Sequence, residues 1–250
     1  MWSWEAFFSF LHNPQLIEGA WTTVWLTVVS MALGLPLAVL VAVGRASSFA
    51  PARLVTGFYV WLMRGTPLLV QLVIIYTGLP QLGLRLGVIS AALTGLVLNE
   101  AAYLSEIVRA GVLSVPRGQS EAARALGMSP WRVFRVVVIP QALRVMVPPL
   151  GNSFNGLLKT TTLVSVISVE ELLRRTQFAV QVNFRVLEGL TAAALYYLAL
   201  TTLWGFVQKW LETRVGRGHE PRQSAKRGRG AAGPGSAAAV AARELEMDNR

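Results

Sequence analysis

The sequence predicts an all-α polytopic membrane protein with about five transmembrane helices. Three long stretches contain no Asp, Glu, Lys or Arg, namely residues 19–44, 65–84 and 189–208. Each is about as long as the roughly 20 residues that an α-helix needs to cross the hydrocarbon core of a bilayer. The chain of 250 residues is 53% hydrophobic and 14% charged, whereas about 25% of residues are charged in an average soluble protein. A large soluble core can hold one such stretch, but three indicate a membrane protein.

The sequence divides into an N-terminal lead, a transmembrane domain and a C-terminal tail. Residues 1–18 form a short amphipathic lead, whose Trp2, Trp4 and three Phe residues are typical of an anchor at the membrane interface. Residues 19–213 form the transmembrane domain, and residues 214–250, rich in Gly, Ala and Arg, are expected to be a disordered basic tail. The five predicted spans are residues 19–43, 55–79, 86–108, 145–169 and 186–211.

Proline and glycine interrupt two of these spans. Gly65 and Pro67 break the hydrogen-bond ladder of the second span, and Pro148, Pro149 and Gly151 break that of the fourth. Such interruptions are tolerated where the backbone lines a cavity or packs inside the protein. A simple kink that improves helix packing is the alternative interpretation for the second span.

The third span carries polar side chains on one side. At 100° per residue, Asn99, Tyr103 and Glu106 share a stripe, with Glu100 on its flank. A carboxylate inside a span costs about 2.5–3.5 kcal/mol on insertion scales and needs a partner or a water-filled cavity. Arg64 and Lys159, in the second and fourth spans, are possible partners of Glu100. Glu106 lies three residues before Arg109 and is expected to pair with it on the same helix.

The Arg-rich loop of residues 109–144 is predicted to contain two short helices joined at Gly127, which we call the knuckle. Helix-forming residues run from 119 to 126, and Gly127 is placed to stop this helix in a left-handed turn. Ser129 and Pro130 read as the N-cap and first turn of a second short helix. Pro140 is expected to end or kink that second helix because it lacks an N–H group.

Composition excludes several function classes. The chain contains no Cys and only two His, far apart, so neither a thiolate metal site nor a His pair at ligand spacing exists. The net charge of +10 does not indicate nucleic-acid binding, because most basic residues lie in loops and in the tail. The phosphate-binding motif G-x-x-x-x-G-K-[ST] is absent from the sequence.

Residues 121–140 resemble the EAA signature of permease subunits of ATP-binding-cassette importers. Glu121, Ala122 and Ala123 are followed after three residues by Gly127, and Ile139 and Pro140 close the pattern, with Ile139 in place of the usual Leu. In that family this cytoplasmic loop forms the coupling helix that docks on the ATPase. The resemblance therefore implies a docking surface made of Glu121, Ala122, Ala123, Arg124, Leu126 and Gly127.

Three further motifs resemble those of polar-amino-acid permeases. They are RGTPLLVQ from residue 64, the stretch 99–119, and PPLGN from residue 148 with its continuation to residue 167. The resemblance implies the five-span permease fold, with a second permease copy or paralogue, two ATPase subunits and an external, periplasmic or lipid-anchored, substrate-binding protein as partners. Together with the polar pattern it marks a predicted substrate pathway of Arg64, Gln71, Asn99, Glu100, Tyr103 and Lys159.

The sequence thus predicts a multi-pass permease subunit of a bacterial inner-membrane importer of polar amino acids, working by alternating access. It is expected to be catalytically silent, with ATP and magnesium bound by the ATPase and no cofactor or nucleic acid of its own. One alternative is an ion-coupled secondary transporter that uses Glu100 or Glu106 to carry protons. An intramembrane enzyme built on Lys159 and Ser165 is a second alternative, which no motif supports.

The distribution of basic residues predicts the topology. With the 109–144 loop in the cytoplasm, inside segments hold two, six and nine Lys and Arg residues, a total of 17, against four outside. We therefore expect the N-terminus outside and the tail inside. Protease added to right-side-out cells should leave an epitope at Arg250 intact, and cleavage from outside would reverse the topology.

Overall fold

The computed structural model describes residues 2–216, and this part of the chain is helical, without a strand. Apart from its first three residues, the predicted tail of residues 214–250 lies outside the described residues. The helices, in chain order, are α1 (Trp4–Leu11), α2 (Pro14–Ala46), α3 (Ala50–Gly65), α4 (Leu68–Val73), α5 (Val88–Leu113), α6 (Arg117–Ala125), α7 (Pro130–Val133), α8 (Ile139–Thr160), α9 (Leu172–Asn183) and α10 (Val186–Gly216). Shorter turns extend some of them: π-helical turns over Ile74–Gly78 and Phe134–Val138, and 3₁₀ turns over Leu79–Leu82 and Thr161–Ile167.

The prediction of about five spans is confirmed. Among the described residues, four helical segments are long and apolar enough to cross a membrane: α2, α5, the continuous stretch Pro130–Ile167, and α10. The pair formed by α3 and the segment Leu68–Leu82 counts as a fifth, bent by 105°. We call the end of the bundle where α6 connects α5 to α7 the α6 end, and the opposite end, where α9 connects the fourth and fifth spans, the α9 end.

Helix α2 is central to the bundle and packs most extensively against α5. The two helices meet at Gly34, where a Cβ would lie 3.7 Å from the backbone N of Ala101, an ordinary van der Waals distance. Ala38 and Leu104 are buried beside this contact. Helix α2 begins at Pro14 rather than at the predicted residue 19, because Asn13 caps it and proline is well suited to the first helical position.

The segment between the fourth and fifth spans is not simply a polar outer loop. Its helix α9 packs against α2, and Gly19 permits the contact, since a Cβ there would lie 2.8 Å from Leu172 Cα. The buried carboxylate of Glu171 caps α9 by accepting hydrogen bonds from the N–H groups of Leu173 and Arg174 at 3.0 and 2.9 Å. Burial raises the pKa of Glu171, and these hydrogen bonds oppose that shift.

The N-terminal lead is attached to the bundle. Phe7 and Phe10 of α1 are buried in a cluster with side chains of α9 and α10. The Ser3 N–H group donates to the Glu188 carboxylate at 2.9 Å. Trp4 and Phe8 stay exposed, as an interfacial anchor requires.

The prediction that Pro148 and Pro149 interrupt the fourth span is wrong, and so is the part of the Pro140 prediction in which this residue ends the helix. Pro140 does not end the helix of the loop, because the preceding residues widen into the π-helical turn Phe134–Val138 and the chain continues directly into α8. Pro148 and Pro149 do not interrupt α8, which is helical throughout. Neighbouring helices and local π turns commonly compensate prolines in membrane helices.

Helix α10 donates hydrogen bonds to the proline-containing part of α8. Trp204 Nε1 donates to the Gly151 carbonyl at 2.8 Å, and the indole stacks on Phe154 with ring centroids 3.7 Å apart. Gln208 Nε2 donates to Asn152 Oδ1 at 3.1 Å and to the Pro148 carbonyl at 3.4 Å. The proline-containing part of α8 is therefore hydrogen-bonded from outside its own helix.

Candidate functional site

The second span is broken where the sequence predicts an interruption. Helix α3 ends at Gly65, Thr66 and Pro67 are extended, and α4 begins at Leu68 in a direction 105° away. Pro67 lacks an N–H group and disfavours a helical conformation at the residue before it. The bend is far larger than a packing kink, so the broken-span interpretation is confirmed.

Two amide side chains compensate the backbone groups that the break exposes. Gln71 Nε2 donates to the Met63 carbonyl at 2.9 Å, to the Thr66 carbonyl at 3.2 Å and to Thr66 Oγ1 at 2.7 Å. Asn99 Nδ2, from α5, donates to the Met63 carbonyl and to Gln71 Oε1, both at 3.1 Å. We call these four residues the amide network. It links the end of α3 and the start of α4 to α5.

A polar cavity of about 630 Å³ lies beside the break. It is bounded by the α3–α4 junction, α5 and α8. Its lining residues are Arg64, Gly65, Thr66, Pro67, Leu68, Leu96, Asn99, Glu100, Tyr103, Ser153, Gly156, Leu157 and Thr160.

The cavity contains one acidic and one basic side chain. Glu100 is 8% exposed and accepts a hydrogen bond from Ser153 Oγ at 2.5 Å. The Arg64 guanidinium carbon lies 5.3 Å from the centre of the Tyr103 ring, at cation–π distance. Within residues 2–216 Glu100 forms no ion pair, so the alternative pairing with Arg64 or Lys159 is absent there.

Four of the six side chains of the predicted pathway line the cavity, and two do not. Arg64, Asn99, Glu100 and Tyr103 line the cavity. Gln71 lies behind its wall in the amide network, with 8% of its surface exposed. Lys159 is exposed and does not line the cavity, because it projects from a different side of α8 than Gly156 and Thr160.

The sequence analysis missed part of the α8 wall. Ser153, Gly156 and Thr160 line the cavity, and their spacing of three and four residues places them on one helix face. That periodicity of small and polar residues was the available signal. Glu106 pairs with Arg109 as predicted, and it also contacts Arg45 of α2, which the sequence did not indicate.

The knuckle at the α6 end is a second candidate site. Gly127 has φ of +80° and its N–H bonds to the Arg124 carbonyl at 2.9 Å, so the predicted left-handed stop is confirmed. Helix α7 begins at Pro130 after Ser129, also as predicted. Glu121 and Ala122 are exposed.

The sequence predicts Ala123 as part of the docking surface, but the structure buries this residue. Ala123 is only 7% exposed and packs with Val133 and Val138, because it lies on the inner face of α6. Leu126, in contrast, is 84% exposed, and Trp131 beside it is also exposed. The outer surface of the knuckle is thus formed by Glu121, Ala122, Arg124, Leu126 and Gly127.

A helical bundle with a broken span and an intramembrane cavity holding opposite charges is the architecture of a membrane transport protein. The family model for the binding-protein-dependent transport system inner membrane component matches residues 34–217. The chain belongs to this family.

Individual relatives agree with this assignment. The chain is 41% identical over 204 residues to the glutamine transport system permease protein GlnP of Escherichia coli (strain K12), covering 81% of this chain and 93% of the relative. It is 41% identical over 208 residues to the L-cystine transport system permease protein TcyB of Bacillus subtilis (strain 168), covering 82% and 88%. A crystal structure of an amino acid ABC transporter with histidines matches with a TM-score of 0.77 at 38% identity, covering 80% of this chain and 94% of that one.

The amide network generates a stability prediction. Gln71→Leu removes the donor to the Met63 and Thr66 carbonyls and should lower the free energy of unfolding by about 1–3 kcal/mol. Uptake of every substrate should fall alike, because Gln71 lies outside the cavity. Thermal unfolding of the purified protein measures the first effect. Thr77→Val is the control, since the Thr77 hydroxyl bonds only within its own segment, to the Val73 carbonyl; equal stability of the two variants would contradict the assigned role.

Proposed function

We propose that this chain is the membrane-spanning permease subunit of an ATP-driven importer of polar amino acids. The observation that carries the proposal is the cavity at the broken span, with the Glu100 carboxylate and the Arg64 guanidinium on its walls. The names of relatives such as GlnP and TcyB, which transport glutamine and cystine, support the substrate class.

The chemistry of the cavity suits an amino acid. A zwitterion carries an ammonium and a carboxylate, and both lose hydration when they enter the membrane. Arg64 offers a partner for the substrate carboxylate, and Glu100 offers one for the ammonium or guanidinium of a cationic side chain. Leu68, Leu96 and Leu157 supply an apolar surface for the rest of the molecule.

The knuckle is the proposed docking surface for the ATPase subunit. Its exposed apolar residues Leu126 and Trp131, with Glu121 and Arg124 beside them, are suited to a protein partner. The chain has no phosphate-binding loop of its own, so nucleotide and magnesium bind the partner. Closure of the ATPase pair would move α6 and open the cavity alternately to the two sides of the membrane.

We propose the remaining partners and the orientation on the same basis. The transporter contains a second permease copy or paralogue, and a periplasmic or lipid-anchored binding protein delivers the substrate. The chain lies in the bacterial inner membrane with its N-terminus outside, the α6 end in the cytoplasm and the α9 end outside. The alternative function, an ion-coupled secondary transporter, would carry protons on Glu100 or Glu106. Two guanidinium groups engage Glu106, which leaves Glu100 as the candidate proton carrier.

A docking test uses the exposed residues of the knuckle. Glu121→Lys reverses a charge on its surface, and Gly127→Val forces a branched side chain into φ of +80°. Both should reduce ATP-driven uptake at least tenfold while the protein still inserts. The assay is uptake of labelled amino acid by proteoliposomes that contain the ATPase. Arg53→Gln, an exposed change outside the knuckle, is the control; normal uptake in both knuckle variants would contradict docking.

A selectivity test uses Glu100. Glu100→Gln should reduce uptake of Arg or Lys roughly tenfold more than uptake of neutral Gln, because a charge-assisted hydrogen bond is lost only for the cationic side chain. Uptake is measured per assembled transporter for several labelled amino acids. Glu5→Gln, an exposed change in α1, serves as control. A uniform loss, or no change, would remove Glu100 as a selectivity residue.

A further inference from the structure

One carboxylate joins two spans at the α6 end of the bundle. Glu106, on α5, contacts the guanidinium of Arg45 in the last turn of α2. It also accepts hydrogen bonds from Nε and Nη2 of Arg109 at 3.2 and 2.9 Å. The Glu106 side chain is 21% exposed, so water screens these pairs less than it screens ion pairs on an open surface.

Helix α6 follows α5 after a short connection. Only three residues separate the two helices. Val112 and Val115 pack against the cluster of Ala123, Val133 and Val138, which joins α6 to the helical segment that follows it. A displacement of α6 is therefore passed directly to the end of α5 that carries Glu106.

Within the described residues 2–216, α2 forms no other ion pair at this end. Among residues 2–216, the remaining ion pairs are those of Arg175 with Glu18 and Glu170 and that of Arg185 with Glu188, all at the α9 end. The neighbouring contacts between α2 and α5 are apolar and involve small residues such as Ala38 and Ala101. Apolar surfaces of this kind can slide, whereas a charge-assisted hydrogen bond holds one register.

We infer that Glu106 is a positioning residue that couples α2 to the movement of α6 through Arg45. The inference rests on the proposed function. While the bridge is closed, the cytoplasmic end of α2 follows α5 and α6 when the ATPase subunits close. Helix α2 also packs on α9, so the bridge places one continuous helix between the docking surface and the outer end of the bundle.

Loss of the carboxylate has a specific consequence. In Glu106→Gln, Arg45 and Arg109 face each other on neighbouring helices without a negative charge between them, and like charges repel at this distance. Arg45→Gln instead leaves the pair of Glu106 with Arg109 within α5 intact. Both variants lose the connection between helices, but only the first leaves two unneutralised arginines.

The test measures amino acid taken up per ATP hydrolysed by the complete transporter in proteoliposomes, with binding protein present. Glu106→Gln and Arg45→Gln should lower this ratio about fivefold. Arg109→Gln is the matched control, because it keeps the bridge to Arg45, and its ratio should stay within about twofold of the wild type. The double variant Arg45→Glu with Glu106→Arg restores a carboxylate between two guanidinium groups and should recover most of the ratio.

A purely structural role would lower the thermal stability of the assembled complex and leave the ratio per assembled transporter unchanged. An unchanged ratio in Arg45→Gln, or a charge-swapped transporter that assembles without recovering the ratio, would overturn the inference. Arg45→Gln and the charge swap decide the question even if Glu106→Gln fails to assemble. Absence of ATP-driven uptake in the wild type would overturn the proposed function and, with it, this inference.

Discussion

Hydrogen bonding of the backbone at the broken second span is the constraint on which the rest of the site depends. An unsatisfied carbonyl inside a bilayer costs several kcal/mol, and the break between α3 and α4 exposes those of Met63 and Thr66. Gln71 and Asn99 satisfy them from α4 and α5. Because these bonds fix the junction against α5, they also fix the place where Arg64 enters the cavity, opposite Glu100. The same interruption that would destabilise an ordinary span here makes room for a polar cavity at membrane depth.

The buried and half-buried carboxylates are each matched to a specific set of donors. Glu171 caps α9 with two backbone N–H groups, and Glu106 is held by two arginines from two helices. Glu100 differs, since its only hydrogen-bond donor within residues 2–216 is Ser153. A buried carboxylate with one neutral donor keeps acceptor capacity for a ligand. This difference separates the carboxylates that hold the fold together from the one that faces the cavity, and it is the reason that, among these three carboxylates, we propose a substrate role only for Glu100.

The sequence predicted those features of the fold that depend on residues close together in the chain. Uncharged stretches predicted spans, Gly127 predicted the left-handed turn that ends α6, and Pro67 predicted the break between α3 and α4. Each of these features depends on a few neighbouring residues. Features that depend on another helix were not predictable in this way. Gln208 and Trp204 of α10 bond to the proline-containing part of α8, and Ala123 is buried because α7 folds back over it. In the same way, Arg45 contacts Glu106 from another helix, 61 residues away in sequence, a pairing that helical spacing within α5 cannot reveal.

The central claim is that the broken span opens a water-accessible cavity inside the membrane. The sequence contains no Cys, so single cysteines can be introduced without other changes. Ser153→Cys and Gly156→Cys place a thiol on the cavity wall, and Leu203→Cys places one on the exposed apolar face of α10. In the assembled transporter, a water-soluble, membrane-impermeant thiol reagent should label the cavity positions at least tenfold faster than position 203, and excess amino acid should slow that labelling. Equal, slow labelling at all three positions, unaffected by amino acid, would contradict the account.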